Sequence, residues 1–171
     1  VESIAAVSVF FPILFFLLAF VIGISAGTTV LVGQAWGAQN LEKVRAVVGS
    51  TLFMTLIGGS IIAILGVIFA EPLLKLLGTD PKVMHLSLPY VQWMLAGSPL
   101  LFIYIIYTSV LRGVGDSVTP LLALGLTSVI GLMVTPVLLK GYFGFPAMGI
   151  IAPAIATMLG YSAVLIFLAL Y

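Results

Sequence analysis

Five long stretches of this chain contain no Asp, Glu, Lys or Arg. They cover residues 3–41, 46–70, 83–111, 117–139 and 141–171. An α-helix rises about 1.5 Å per residue, so about 20 apolar residues cross the ~30 Å hydrocarbon layer of a bilayer. Each stretch is long enough to do so, and none shows the period-two alternation that the strands of a membrane barrel require. The sequence therefore predicts an all-α, polytopic transmembrane bundle of about five helices.

The helices are expected at about residues 5–32, 45–70, 84–111, 119–139 and 147–171. Pro12 is expected to kink the first of them, because proline cannot donate the backbone hydrogen bond of a helix interior. Residues 71–78 are expected to form a separate, short interfacial turn of helix with Lys75 toward water. We expect the chain to be part of a longer multi-pass protein of the plasma or inner membrane.

Composition excludes several classes of function. Only 6% of the residues are charged, against about 25% in soluble domains, so the lipid bilayer is the expected partner of most of the surface. The net charge of +1 comes without a basic patch, so no nucleic-acid partner is expected. The chain has no cysteine, no HExxH motif and no phosphate-binding glycine loop. No metal site, catalytic residue or cofactor is therefore predicted.

Residues 23–27, Gly-Ile-Ser-Ala-Gly, match the GxSxG pattern of hydrolases. That motif needs a strand-turn-helix setting, which a membrane helix does not provide. We interpret Gly23 and Gly27 instead as a small-residue face for close helix packing.

Gly113-Val-Gly115-Asp116 resembles the GxGD motif of intramembrane aspartyl proteases, which is an alternative function for the chain. Aspartyl chemistry requires two carboxylates close enough to share a proton. The chain has one other aspartate, Asp80, and it is expected on the opposite membrane face, one span away.

Polar side chains within the spans are candidates for a substrate pathway. Most Ser and Thr residues in membrane helices bond to their own backbone four residues earlier. Gln92 carries an amide that is harder to satisfy, so it is expected to face the protein interior or an aqueous cavity. Six prolines lie in or near the spans, at positions 12, 89, 99, 120, 136 and 153. Bent helices of this kind suit the cavity-lining elements of transporters.

Four segments together resemble the MATE (multidrug and toxic compound extrusion) transporters. They are Ala5 to Pro12, Gly27 to Asn40, Leu111 to Pro120 and Ala154 to Thr157, in the family's order and at its spacing. The resemblance covers nearly all of the chain. It implies helices two to six of the amino-terminal half of a twelve-helix protein, that is, a partial lobe of a two-lobe transporter.

The resemblance implies an efflux antiporter and not an enzyme. Such a protein exports organic cations or other small amphipathic compounds in exchange for H⁺ or Na⁺, by alternating access between this lobe and a second lobe of the same chain. No cofactor beyond the coupling ion is implied. Two connections would be structural turns on the cytoplasmic face, and their residues are Gly33, Gln34, Gly37, Arg112, Gly113, Gly115 and Asp116.

The family's cation site in this half uses an acidic residue on the first family helix, an Asn and an Asp four residues apart on the fifth, and a Thr on the sixth. By resemblance the Thr position is Thr157, the Asn position is Gly131 and the Asp position is Thr135. Glycine has no side-chain ligand, and a Thr hydroxyl does not exchange a proton near neutral pH. We therefore expect the proton-linked site of this half to be altered, and we predict Gln92, Thr135 and Thr157 as pathway residues.

A lipid-linked oligosaccharide flippase of the same superfamily is the other alternative. A flippase should place several cationic side chains in its cavity to hold pyrophosphate. No span of this chain offers one.

Overall fold

The described chain is a series of α-helices joined by short turns. The computed structural model describes residues 8–141 and 149–170, and these contain no strand. In chain order the helices are α1 (Phe11–Gly37), α2 (Leu41–Leu76), α3 (Pro81–Ala96), α4 (Ser98–Gly113), α5 (Val118–Lys140) and α6 (Ala152–Leu170), with a 3₁₀ turn (Gly149–Ile151) directly before α6. Residues 5–7 of the first predicted helix, and residues 147, 148 and 171 of the last one, lie outside the described residues.

Helices α3 and α4 form one broken membrane span. Only Gly97 separates them, and their axes differ by 43°. Helices α1, α2 and α5, and α6 together with its 3₁₀ turn, are each long and apolar enough to cross a membrane. With the broken pair counted as one, the described residues provide five spans, which confirms the predicted all-α transmembrane bundle.

The helix predicted over residues 84–111 is interrupted and not continuous, and its bend agrees with the bent helices expected from the prolines. The physical cause is Pro99, the second residue of α4. In a straight helix the ring of Pro99 would collide with the carbonyl group of Leu95. Pro99 also has no backbone N–H to donate to that carbonyl. The chain instead bends at Gly97, whose carbonyl oxygen accepts the N–H of Leu101 at 3.3 Å.

Two other prolines behave differently. Pro12 is the second residue of α1, where a missing N–H has no helical partner to lose; Ser8 is helical and Val9 and Phe10 form a turn before it, so the kink expected at Pro12 stays a prediction. Pro72 lies inside α2, which continues to Leu76. Most of residues 71–78, predicted as a separate interfacial turn of helix, are therefore part of α2. Within this extension, Lys75 Nζ and Glu71 Oε1 form an ion pair at 2.6 Å.

Three connections use the same backbone geometry. Gln39, Gly78 and Gly115 follow the ends of α1, α2 and α4 with φ values of +54°, +72° and +92°. The N–H of each following residue returns to a helix carbonyl at 2.9–3.1 Å, as in a Schellman motif. At two of the turns the N-cap residue itself caps the next helix with its side chain, since Asn40 Oδ1 accepts a backbone N–H at 2.9 Å and Asp80 Oδ1 accepts one at 2.8 Å. These connections are short and strongly hydrogen-bonded.

The main core lies between α1, α2, α3 and α4. Its fully buried members include Val21, Leu74, Val91, Phe102 and Ile106. A second apolar cluster joins α4, α5 and α6 through Tyr104, Ala123, Val164 and Leu168. Large apolar side chains also cover the outer faces of α2 and α5, including Phe53, Met54, Ile68, Leu121 and Leu132, all more than half exposed. Such faces suit contact with lipid.

Candidate functional site

An apolar cavity of about 300 Å³ lies where the broken span faces α1 and α6. Phe10, directly before α1, and Leu17 of α1 contribute to its lining, and the broken span contributes Met94 and Gly97. Helix α6 supplies the remaining wall. No charged side chain of the described residues lines this cavity. Its position beside an interrupted helix makes it the candidate site.

The walls of the cavity combine leucine side chains with two methionines and two aromatic rings, and each ring makes a further ring contact. Phe10 stacks edge-to-face against Tyr90, with ring centroids 5.9 Å apart. On the α6 side, Tyr161 lies 5.1 Å from Tyr104, centroid to centroid. Aromatic faces and polarizable sulfur adapt to aromatic and aliphatic groups of varied shape. The cavity can therefore accept the apolar portion of an organic molecule.

Thr157 and Tyr161 are the hydroxyl-bearing side chains of the described lining, and Thr157 is the aliphatic one. Its Oγ1 donates to the carbonyl oxygen of Pro153 at 2.7 Å, one helical turn earlier. This bond uses the hydroxyl proton, whereas the oxygen lone pairs remain able to accept a hydrogen bond or approach a cation. Thr157 thus offers a hydrogen-bond acceptor in a largely apolar space.

The three predicted pathway residues are not brought together. Gln92 is half-buried on α3, and its Nε2 donates to the carbonyl oxygen of Val67 on α2 at 3.5 Å. It lies two residues before Met94, about 200° around the helix, and therefore on the side away from the cavity. Thr135 is half-buried on α5 and is not among the cavity-lining residues.

Sequence reasoning missed a buried polar interface between α1 and α4. Ser25 and Ser109 share a hydrogen bond between their hydroxyl oxygens. Thr29 Oγ1 donates to the carbonyl oxygen of Ser109 at 3.2 Å, and Arg112 Nη2 donates to Ser109 Oγ at 2.9 Å. We call Ser25, Thr29, Ser109 and Arg112 the hydroxyl cluster, after the three hydroxyl groups that it contains. The four-residue spacing of Ser25 and Thr29, which puts both on one helix face, was the available signal.

Most of the residues predicted in cytoplasmic turns belong to helices. Gly33, Gln34 and Gly37 lie in the last turns of α1, Arg112 and Gly113 end α4, and Gly115 and Asp116 form the turn that follows. The turn assignment was wrong for the first five, since α1 and α4 continue through them, whereas their place on the cytoplasmic face stays a prediction. Two of the glycines serve helix packing. A Cβ on Gly33 would lie 3.2 Å from the carbonyl oxygen of Gly113.

The packing role assigned to Gly23 and Gly27 is wrong for the described part of the chain. Both are exposed, and a Cβ at either would meet no described atom within 4 Å. Ser25 between them is the buried residue, at 7% exposure. The face used for close packing on α1 is therefore rotated by two residues from the predicted one.

The acidic groups at the turns act as helix caps. Asp116 Oδ1 accepts the N–H groups of Val118 and Thr119, both at 3.0 Å. Asp80 starts α3, so the two aspartates lie at opposite ends of the broken span, and the paired carboxylates of an aspartyl protease are not formed. Within residues 8–141 and 149–170, no three His, Cys, Asp or Glu side chains are placed to hold a metal ion.

Comparison with known proteins shows which family the chain belongs to. The MatE family model matches residues 1–137. A probable multidrug resistance protein of Bacillus subtilis, YoeA, is 44% identical over the whole chain, which covers 37% of that protein. A FAD transporter of Shewanella oneidensis is 31% identical over 94% of the chain, covering 35% of that protein. The chain thus spans a little over a third of the length of these curated relatives.

Solved structures agree with the sequence relatives. The chain matches an inward-facing multidrug resistance MATE transporter with a TM-score of 0.90 and 27% identity, over 98% of the chain and 37% of that structure. It matches an outward-facing one with a TM-score of 0.89 and 27% identity, over 98% of the chain and 36% of that structure. The helices described above are therefore part of a multi-pass membrane protein, and the chain belongs to the MATE family of transporters, which are not enzymes.

Proposed function

We propose that the full-length protein is a secondary active efflux transporter that exports small amphipathic or cationic compounds in exchange for H⁺ or Na⁺. The observation that carries this proposal is the apolar cavity between α1, the broken span and α6. The cavity offers a binding volume in a member of a transporter family. It lies beside an interrupted helix, and interrupted helices commonly form the binding sites of transporters.

The cavity suits only part of such a compound. Its leucine, methionine and aromatic side chains would bury rings and alkyl groups, while Thr157 and Tyr161 supply neutral hydroxyl groups. A cationic group of the substrate would find no countercharge among the described lining residues. We therefore propose that the charge of the substrate faces water or another part of the full-length protein.

Ion coupling would also depend on residues beyond this chain. The uncharged stretches that form the spans contain no acid, and Thr135, at the position where the family's Asp is expected, cannot take up a proton near neutral pH. A proton-linked carboxylate would have to come from elsewhere in the full-length protein. A hydroxyl at position 135 is still compatible with Na⁺ coordination, because Na⁺ accepts neutral oxygen ligands.

Alternating access is supported by the way in which this part of the fold matches its relatives. It superposes about equally well on an inward-facing and an outward-facing transporter. A lobe that keeps its internal arrangement in both states would move as one body against a second lobe. The tight contacts between α1 and α4 favour such rigidity.

Transport by the full-length protein in proteoliposomes tests the proposal. We expect ethidium or tetraphenylphosphonium to move when a pH or Na⁺ gradient is imposed, and to stop moving when an ionophore collapses that gradient. No movement of either cation under either gradient, in vesicles shown to contain folded protein, would refute the proposed function.

Thr157 variants test the site within this assay. Thr157→Val removes the acceptor at constant shape and should weaken transport by about tenfold or less, since one neutral hydrogen bond contributes about 1 kcal/mol. Thr157→Ser should retain transport. Thr28→Val is the matched control, because Thr28 makes the same backbone bond, to Ile24 at 2.8 Å, on α1 outside the cavity lining.

Neither alternative function gains support. A flippase would need cationic side chains around its cavity, and the described lining residues include none. A protease would need two facing aspartates, and Asp80 and Asp116 are separated by the length of the broken span.

A further inference from the structure

Gly97 leaves a notch in the broken span, and Met158 of α6 occupies it. A Cβ placed on Gly97 would lie 2.5 Å from Cε, 2.9 Å from Cγ and 3.2 Å from Sδ of Met158. These separations are shorter than van der Waals contact. Any side chain at position 97 would therefore have to displace Met158.

The opposite side of the break is held by helix backbone and a core leucine. A Cβ on Gly59 of α2 would lie 3.1 Å from Cα of Pro99, and a Cβ on Gly66 would lie 3.1 Å from Cδ1 of Leu95. Ser98 Oγ also donates to the carbonyl oxygen of Gly59, at 3.5 Å. Backbone atoms cannot yield as a flexible side chain can. The adjustable contact of the break is therefore the one with Met158.

We propose that Met158, seated in the notch left by Gly97, sets the size of the apolar group that the cavity accepts. Both residues line the cavity, so displacement of Met158 from the notch moves its side chain into the binding volume. An unbranched thioether side chain can shift in this way with little strain. The inference rests on the proposed transport function and adds a determinant of substrate size to it.

Two substitutions change the cavity in opposite directions. Met158→Ala removes the three side-chain heavy atoms beyond Cβ (Cγ, Sδ and Cε) and enlarges the cavity, whereas Gly97→Ala fills the notch and pushes Met158 into the cavity. The readout is the ratio of tetraphenylphosphonium to tetraethylammonium transport by the full-length protein. We expect this ratio to rise about tenfold in Met158→Ala and to fall about tenfold in Gly97→Ala, the lower end of what a few methylene groups contribute in an apolar pocket.

The double variant Gly97→Ala/Met158→Ala separates displacement from a change in the helix. Alanine favours helix more than glycine does, so Gly97→Ala could also act by straightening the span. Displacement predicts that the double variant regains a ratio at or above that of the wild type, because no Met158 side chain remains to be moved. A ratio that stays as low as in Gly97→Ala would overturn the proposal.

Matched controls come from α5. Met133→Ala changes a methionine that is 69% exposed, and Gly125→Ala adds a Cβ that meets no described atom within 4 Å. Both should leave the ratio unchanged. An equal effect of Met133→Ala and Met158→Ala would count against a specific role for Met158.

A measurement that does not depend on transport completes the test. In full-length protein labelled with methyl-¹³C methionine, the Met158 methyl resonance is identified by its loss in Met158→Ala. It should shift in Gly97→Ala and stay unchanged in Gly125→Ala. If the wild type transports neither cation, the proposed function fails. An unshifted Met158 resonance in Gly97→Ala would by itself refute the proposed contact between Met158 and the notch at Gly97.

Discussion

Gly33 of α1 and Gly113 of α4 bring two helix backbones into direct contact. A Cβ on Gly33 would lie 3.2 Å from the carbonyl oxygen of Gly113. A Cβ on Gly113 would lie 2.9 Å from Cβ of Val32 and 3.0 Å from the carbonyl oxygen of Thr29. Small residues allow membrane helices to approach this closely, which strengthens packing and interhelical hydrogen bonds. This contact and the hydroxyl cluster are successive parts of the same interface.

Gly113→Ala should destabilise the full-length protein by about 1–3 kcal/mol, the usual effect of overpacking. The neighbouring atoms belong to the backbone and to a β-branched side chain, so they cannot move aside easily. Thermal unfolding in detergent, followed by fluorescence-detected size-exclusion chromatography, measures the change. Gly27→Ala is the control on α1, and it should not lower the midpoint. Equal losses in the two variants would contradict the close contact.

Ser25 and Ser109 should be energetically coupled through their shared hydrogen bond. A double-mutant cycle of Ser25→Ala and Ser109→Ala is expected to give a coupling free energy of about 0.6–1.7 kcal/mol, the range for hydrogen bonds between membrane helices. Ser128→Ala serves as the control, because Ser128 is exposed and its hydroxyl donates to its own helix, at Leu124. A cycle with Ser128 in place of Ser109 should show no coupling to Ser25.

Gln39 occupies a backbone conformation that glycine adopts in the two related turns. Its φ of +54° is left-handed, which costs an ordinary L-residue about 1–2 kcal/mol. Gln39→Gly should therefore raise the thermal midpoint, by the equivalent of up to about 1 kcal/mol. Gln34→Gly, within α1, should lower it by a similar amount because glycine is a poor helix former. A lowered midpoint in Gln39→Gly would contradict the described turn.

The number and approximate position of the spans could be predicted from the sequence because charge is excluded from the bilayer. The same signal could not locate the break at Gly97. Pro89, Pro99 and Pro136 all lie within apolar stretches, yet Pro89 lies inside α3 and Pro136 inside α5. Whether a proline ends a helix depends on what packs beside it. At Pro99 the neighbour is Gly59 of α2, which is distant in sequence.

The candidate site was harder to predict, for a related reason. Resemblance to a family pointed to Thr157, which lines the cavity. Physical reasoning about polar groups pointed to Gln92, which is instead directed to a backbone carbonyl of α2. An amide within a span needs a partner, but neighbouring helices can supply one as well as a cavity can. The Gly97–Met158 contact had no sequence signal, because it joins two apolar residues on different helices.

Asp116 should act through its capping hydrogen bonds. Asp116→Asn keeps an oxygen acceptor for the N–H groups of Val118 and Thr119, so stability should change little. Asp116→Ala removes the acceptor and should cost about 1 kcal/mol, as for other caps. The difference between the thermal midpoints of these two variants measures the cap. Equal destabilisation by both substitutions would show that the negative charge matters more than the hydrogen bonds.

Glu71 provides a prediction of pH dependence at the end of α2, beyond the uncharged stretch of that span. The hydrogen bond from Lys75 and its positive charge lower the pKa of the Glu71 carboxyl from its ordinary value. A lowered pKa in the folded state means that the ion pair stabilises the helix end at pH values above the ordinary Glu range. This contribution is lost as the pH falls through the lowered value.

A ¹³C NMR titration of the Glu71 carboxyl in full-length protein measures this shift. Lys75→Gln should raise the titration midpoint toward the ordinary Glu value, and added salt should do so in part, because both groups are exposed and screened. Lys82→Gln, which removes a cation on the next helix, is the control and should leave the midpoint unchanged. If Lys75→Gln left it unchanged as well, the ion pair would not be the cause of the lowered pKa.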